Sequence, residues 1–89
     1  MTTSPLSLQD IEAQVRAVLA QHARLGVDAA TLDTAADLYT AGMSSHASVN
    51  VMLGLEGTFD IEFPDQMLTR SVFASVAAIS AAVAELLAA

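Results

Sequence analysis

Ser44–Phe59, SSHASVNVMLGLEGTF, places its apolar residues on two faces rather than one when the chain is advanced at about 100° per residue, the step of an α-helix. Val51, Met52, Leu55 and Phe59 cluster on one side and are the expected core face. His46, Val49, Leu53 and Glu56 fall on roughly the opposite side, so a helix that buries the first set exposes Val49 and Leu53 one turn apart beside a histidine. Two readings of that second face stand: a docking surface, or incidental exposure. Gly54 and Gly57 each cost about 1 kcal/mol relative to alanine inside a helix. They allow a partner backbone to approach closely, or mark a helix end or a tight internal contact.

Working outward, Phe59-Asp60-Ile61-Glu62-Phe63 alternates like a strand, but Pro64 ends it and no second strand exists to pair with it. The segment therefore reads as an extended connector whose Phe63, with Ile61, plugs the core, after which Asp65 caps a short helical segment containing Met67 and Leu68. Ser75 precedes Val76, Ile79, Val83, Leu86 and Leu87, the spacing of a last helix rich in alanine. On the N-terminal side, Leu8, Ile11, Val15, Val18, Leu19, His22 and Leu25 step by three and four, a first helix over Ser7–Leu25. Two start signals compete for it, Ser4 with Pro5 and Ser7 with Asp10, while Gly26 offers a left-handed cap at its end. Between Val27 and Ser44 the period fades, which predicts a long ordered loop anchored by Leu32, Leu38 and Tyr39, with a short helical turn near Thr31–Ala36.

Eighty-nine residues without a composition break form one domain, residues 1–89. Hydrophobic residues make up 54% of the chain, but much of that is alanine, and no apolar run approaches the roughly 20 residues that span a bilayer. The N-terminal segment lacks both a basic start and a signal-type apolar stretch, so a soluble, cytoplasmic protein without a membrane partner is expected. With no cysteine, neither disulfides nor thiolate metal sites staple the fold. Ten acidic residues against three arginines give a formal charge of -7, which repels phosphate backbones and argues against a nucleic-acid partner. The acidic surface suits steering toward basic patches on proteins, or simple solubility.

Enzyme constellations fail on spacing. His22 and His46 lie on different elements and in no recognised metal-binding pattern, so no metal site is expected. Ser45 and His46, adjacent on a helix, point about 100° apart and do not form a nucleophile and base. A chain this small uses its apolar volume for a core rather than a pocket, and catalysis by it alone is not expected. The paired serines have an ordinary reading, since serine at a helix start accepts from the free first-turn amides.

Their surroundings change that reading. Asp37-Leu38-Tyr39, then Gly42-Met43-Ser44-Ser45-His46 leading into Val51-Met52-Leu53-Gly54-Leu55-Glu56, and on to Phe59-Asp60-Ile61-Glu62-Phe63-Pro64-Asp65, resembles the acyl carrier protein family from about Asp37 to the final helix. The resemblance implies an all-α fold: a four-helix bundle of acyl-carrier-protein type, with a long loop between helices 1 and 2 and a short third helix. It also implies a serine that receives 4'-phosphopantetheine from coenzyme A. Counting back from Phe59 and Pro64 puts that serine at Ser45, with Ser44 at the family's usual aspartate position and His46 at its leucine position. A phosphodiester there lies at the positive end of a helix dipole, favoured by about 0.3–1 kcal/mol. Serine without a base is a weak nucleophile, so a phosphopantetheinyl transferase must attach the arm.

Fatty acid carriers in the family set several acids along the second helix, whereas this one has Asn50, Gly57 and Thr58 at such places and keeps only Glu56. That favours a dedicated partner reading Ser44, His46, Val49, Leu53 and Glu56. The stretch AGMSSHASVNVMLGLE is similar to stand-alone bacterial carriers loaded with an amino acid by ligases related to class II aminoacyl-tRNA synthetases. The implied function is to hold an aminoacyl group as a thioester on the arm and present it to a downstream acceptor enzyme, as a monomer. Two alternatives remain: a specialised carrier loaded by an acyl ligase with fatty acyl or polyketide intermediates, and a helical protein-interaction domain with no prosthetic group.

Overall fold

The structure is a computed structural model that describes residues 7–88. Its elements are α1 (Leu8–His22), α2 (Ser45–Phe59), a single 3₁₀ turn (Asp65–Met67) and α3 (Val76–Ala88). The described residues are all-α, and the short third helix is reduced to that one 3₁₀ turn. Helix α1 packs against both α2 and α3. The shared core is built from Val15 and Leu19 of α1, Val51 and Leu55 of α2, and Val76, Ile79 and Val83 of α3, all fully buried. Each such side chain contributes about 1.5–3 kcal/mol by leaving water.

Helix α1 begins at Ser7, whose hydroxyl accepts from Asp10 N–H while the Asp10 carboxylate accepts from Ser7 N–H. This reciprocal capping box satisfies two of the first-turn donors. The competing start at Ser4 and Pro5 lies outside the described residues. The other end departs from the periodicity: the helix stops at His22, and Arg24, not Gly26, takes the left-handed conformation, with φ 54°. Ala23 is buried, so the chain turns away from the core as soon as that residue is packed. Gly26 instead closes the neck of the loop, its N–H donating to Ala41 O at 3.1 Å. Across that neck Gly42 has φ 121°, and a Cβ there would lie 3.3 Å from Gly26 N, a place that requires glycine.

The long connection is a chain of turns rather than a helix. Oδ1 of Asp28, Asp33 and Asp37 accepts from the backbone N–H two residues on, at Ala30, Ala35 and Tyr39, each at 2.9 Å. Aspartate at such positions mimics a backbone turn; near Thr31–Ala36 the chain makes a single hydrogen-bonded turn, Ala36 N–H to Asp33 O at 3.0 Å, opened by the Asp33 side chain. Leu38 is fully buried, and Leu32 and Tyr39 pack against the core, as the anchor assignment requires. The loop is tied further by Leu38 N–H to Ala74 O (2.7 Å) and Ala77 N–H to Thr34 O (2.9 Å). Arg16 Nη1 reaches from α1 to donate to Ala29 O and Leu32 O at 2.8 and 2.6 Å.

Helix α2 ends on Asp60 in the left-handed conformation, φ 53°. The connector that follows sends Phe63 into the core, where its ring meets Phe73 edge-on at 5.4 Å between centroids, a favourable aromatic geometry. Ile61 is half-buried against the same cluster. Asp65 makes no capping bond; Pro64 occupies the cap position and Asp65 is the first residue of the 3₁₀ turn. Leu68 lies just beyond that turn and is exposed. Ser75 behaves as expected, its Oγ accepting from Ala78 N–H at 3.0 Å at the start of α3.

Candidate functional site

The two serines at the head of α2 have different tasks. Ser44 is the N-cap, its Oγ accepting from Ala47 N–H at 3.0 Å. Its carbonyl accepts from Ser48 N–H at 3.0 Å. Ser45 is the first helical residue and is exposed. Helix geometry leaves the amides of Ser45 and His46 without carbonyl partners. An anion on the Ser45 oxygen would therefore sit beside unpaired donors at the positive end of α2.

Ser45 also opens onto a surface groove of about 390 Å³. Ser45, Ser48, Val49 and Met52, at i, i+3, i+4 and i+7 on α2, line one side. Leu68, Thr69, Arg70 and Phe73, from the segment after the 3₁₀ turn, contribute the other lining residues, together with Tyr39 of the long loop. Ser48 Oγ is turned back onto Ser45 O at 2.6 Å. The Arg70 guanidinium lies 3.9 Å from the centre of the Tyr39 ring, a cation–π distance. Met52, expected in the core, is half-buried because it belongs to this groove as well as to the helix interface.

The predicted docking positions divide. His46, Val49 and Leu53 are exposed, Val49 and Leu53 by half or more (50% and 55%). Ser44 caps the helix. Glu56 is half-buried, and its Oε2 accepts from Phe63 N–H at 2.9 Å, while its carbonyl accepts from Ile61 N–H at 3.2 Å. The last acid on α2 therefore organises the connector from within the fold. Of the two histidines, His46 is exposed at the helix start and His22 packs over Gly54, far along the helix from Ser45. No three acidic, histidine or cysteine side chains gather into a possible metal site among the described residues.

An exposed serine hydroxyl at a helix start, next to an open groove with polar and apolar sides, fits a long arm that is anionic at its root and neutral beyond it. Residues 13–83 match the family described as phosphopantetheine attachment site. The chain belongs to this family of carrier proteins. The carrier is 51% identical over 69 residues to the aminoacyl carrier protein of Agrobacterium fabrum, covering 78% of this chain and 83% of the relative. It resembles the Agrobacterium tumefaciens carrier protein in the crystal structure of an engineered Bradyrhizobium japonicum glycine:[carrier protein] ligase complexed with that carrier and ATP. That match has a TM-score of 0.81 and 48% identity, covering 84% of this chain and 97% of the other. The solution structure of an Agrobacterium tumefaciens protein matches with a TM-score of 0.69 and 48% identity, over 86% of this chain and 93% of that one. Like the family, the carrier is non-catalytic and uses phosphopantetheine as its prosthetic group.

The exposed face of α2 is legible in the sequence; the groove is not. The i, i+3, i+4, i+7 spacing of Ser45, Ser48, Val49 and Met52 was a usable signal for one side. Leu68, Thr69, Arg70 and Phe73 sit in a stretch without periodicity, and Tyr39 carries only the signal of a loop anchor.

Proposed function

We propose that this chain carries an activated aminoacyl group as a thioester on a 4'-phosphopantetheine arm attached to Ser45, and presents it to partner enzymes. The observation that carries the choice of serine is the division of labour at the head of α2: the Ser44 hydroxyl is engaged with Ala47 N–H, whereas Ser45 is exposed beside the groove. A transferase must attach the arm to Ser45, because a serine hydroxyl without an activating base is a weak nucleophile. When bound, the arm supplies the thiol that this cysteine-free chain lacks. The aminoacyl cargo is supported by the 51% identity to an aminoacyl carrier protein and by the resemblance to a carrier complexed with a glycine ligase.

The proposed partners are a phosphopantetheinyl transferase, a synthetase-like amino acid:carrier protein ligase and a downstream acceptor. His46, Val49 and Leu53 form the face the ligase reads, with Ser44 and Glu56 shaping that face from behind. Residues 1–89 act as one cytoplasmic carrier domain and a monomer; among the described residues no helix is long and apolar enough to cross a membrane. Incubation with coenzyme A and a broad-specificity transferase, followed by intact mass, tests the attachment. Addition of one phosphopantetheinyl group is expected for the wild type and for Ser44→Ala, and none for Ser45→Ala; an arm retained on Ser45→Ala overturns the assignment. The arm-bearing form is then offered amino acids with a ligase of this type, and fatty acids with an acyl ligase. Loading by the second system alone would establish a fatty acyl or polyketide carrier instead.

A further inference from the structure

In a chain with ten acidic residues and a net charge of -7, the groove that begins at Ser45 is lined by no carboxylate and by one charged side chain, Arg70. Three arginines are the strongly basic side chains of the sequence, beside two histidines, of which His22 packs over Gly54 and His46 does not line the groove. Arg16 is committed to the carbonyls of Ala29 and Leu32. Arg24 is exposed in the left-handed turn after α1 and does not line the groove. Arg70 thus stands at the one place where a cation shares a cavity with the candidate attachment oxygen. Its guanidinium is also not free to wander, since it lies 3.9 Å above the Tyr39 ring. Such stacking is attractive and leaves the planar edge of the group, with its N–H donors, available to an anion. Tyr39 is in turn held by the Asx turn at Asp37 and by the buried Leu38 beside it.

We propose that Arg70, braced on Tyr39, is a positioning residue that holds the phosphodiester of the arm on Ser45 and so fixes the direction in which the arm leaves the carrier. The inference rests on Ser45 being the attachment residue. The occupant it assigns to the polar part of the groove is the phosphate end of the arm, not the cargo: an aminoacyl thioester has a basic amino group, and its protonated form is repelled by the same guanidinium. The helix start alone offers the anion only the Ser45 and His46 amides; Arg70 adds a charge-assisted donor pair from another part of the chain. A guanidinium–phosphate contact of this kind is directional. It would therefore order the arm near its root rather than merely attract it.

The test uses the arm-bearing full chain of the wild type, Arg70→Gln, Arg70→Lys and Tyr39→Leu, made with isotope-labelled coenzyme A. Intact mass comes first, and absence of the arm on wild type, or its presence on Ser45→Ala, would refute the attachment reading separately. Phosphorus NMR and the heteronuclear NOE of the arm's first amide then read the contact. In Arg70→Gln the phosphorus resonance should move toward its position in urea-unfolded arm-bearing protein, with the remainder of the shift left to the Ser45 and His46 amides, and the NOE should fall toward that of a free arm. Arg70→Lys should retain part of both, and Tyr39→Leu should lose part of both; thermal unfolding should stay unchanged in the two Arg70 variants, because Arg70 is exposed, whereas Tyr39 packs against the core. Sodium chloride titrated into the wild-type protein should move the resonance the same way, since the screening length falls to about 3 Å at 1 M; this arm needs no variant. A phosphorus resonance and NOE in Arg70→Gln equal to wild type, or a wild-type resonance indifferent to salt, would overturn the proposal while leaving the attachment at Ser45 intact.

Discussion

A methyl group added at Gly54 would lie 2.9 Å from His22 Cδ2 and 3.0 Å from Val18 Cγ1, whereas one added at Gly57 would meet nothing within 4 Å. Both glycines are interior to α2, so each alanine gains about 1 kcal/mol of helix propensity. At Gly57 that gain stands alone, and Gly57→Ala is expected to raise the unfolding free energy by about 0.5–1 kcal/mol. At Gly54 it is opposed by crowding of a buried β-branched residue with little rotamer freedom, at the typical overpacking cost of about 1–3 kcal/mol. Gly54→Ala should therefore destabilise, and opposite shifts of the two urea midpoints check the pair. Sequence alone could not separate them, because the difference lies in where α1 passes, and the open alternatives are now distributed: Gly54 is internal packing, Gly57 faces outward. A third residue was invisible to periodicity. Ser80 is fully buried in α3, and its hydroxyl has no hydrogen-bond partner. An unsatisfied buried hydroxyl costs about 1–3 kcal/mol, so Ser80→Ala should stabilise by about 1 kcal/mol, read as a rise of about 4–8 °C in Tm. A drop would mean that the hydroxyl has a partner.

At the scale of elements, helix α2 depends on Ser44 for its start, and this is separable from the chemistry at Ser45. Removing an N-cap of this kind costs about 1 kcal/mol. Ser44→Ala should lower Tm by several degrees while accepting the arm as readily as wild type. Loss of both together would mean that the two serines act as a unit. The three helices were legible because their apolar residues repeat at the helical period over many turns, and the connector because Pro64 forbids the strand that its alternation suggests. What misled was local punctuation. Gly26 carries the usual signal of a helix end, yet the chain leaves α1 at Ala23 because that buried residue fixes the turn, and Arg24 accepts the left-handed conformation. Asp65 likewise has the residue type of a cap without making the bond. The loop aspartates resemble surface charge in the sequence, but Asp28, Asp33 and Asp37 each hold a turn through a side-chain bond. The far side of the groove follows no period at all; its place is set by Phe73 meeting Phe63 and by Ala74 bonding to Leu38, contacts between segments far apart in the chain.

Across the whole molecule, one helix presents a buried and an exposed leucine two positions apart, which separates folding from recognition in a single experiment. Leu55 is 0% exposed among α1, α2 and α3 core residues, and Leu53 is 55% exposed on the face shared with Val49 and His46. An aspartate at Leu55 would bury an unpaired charge, at a cost of several kcal/mol, comparable to the whole stability of a small domain. Leu55→Asp should abolish the cooperative unfolding transition. An aspartate at Leu53 meets water and breaks no hydrogen bond of the fold, so helicity and Tm should hold within the scatter of surface substitutions, about 0.5 kcal/mol. Its effect should appear only with a partner. Desolvated apolar anchors supply much of the energy of a small interface, and a charge placed there must be dehydrated on docking. The arm-bearing Leu53→Asp carrier is thus expected to lose at least about tenfold in ligase-catalysed aminoacylation, about 1.4 kcal/mol or more, with His46→Ala losing less. Phosphorus NMR of the arm should be unchanged in Leu53→Asp, because Leu53 does not line the groove. Loading of Leu53→Asp at the wild-type rate would show that the ligase reads the carrier elsewhere, and a collapsed fold would show that Leu53 belongs to the core.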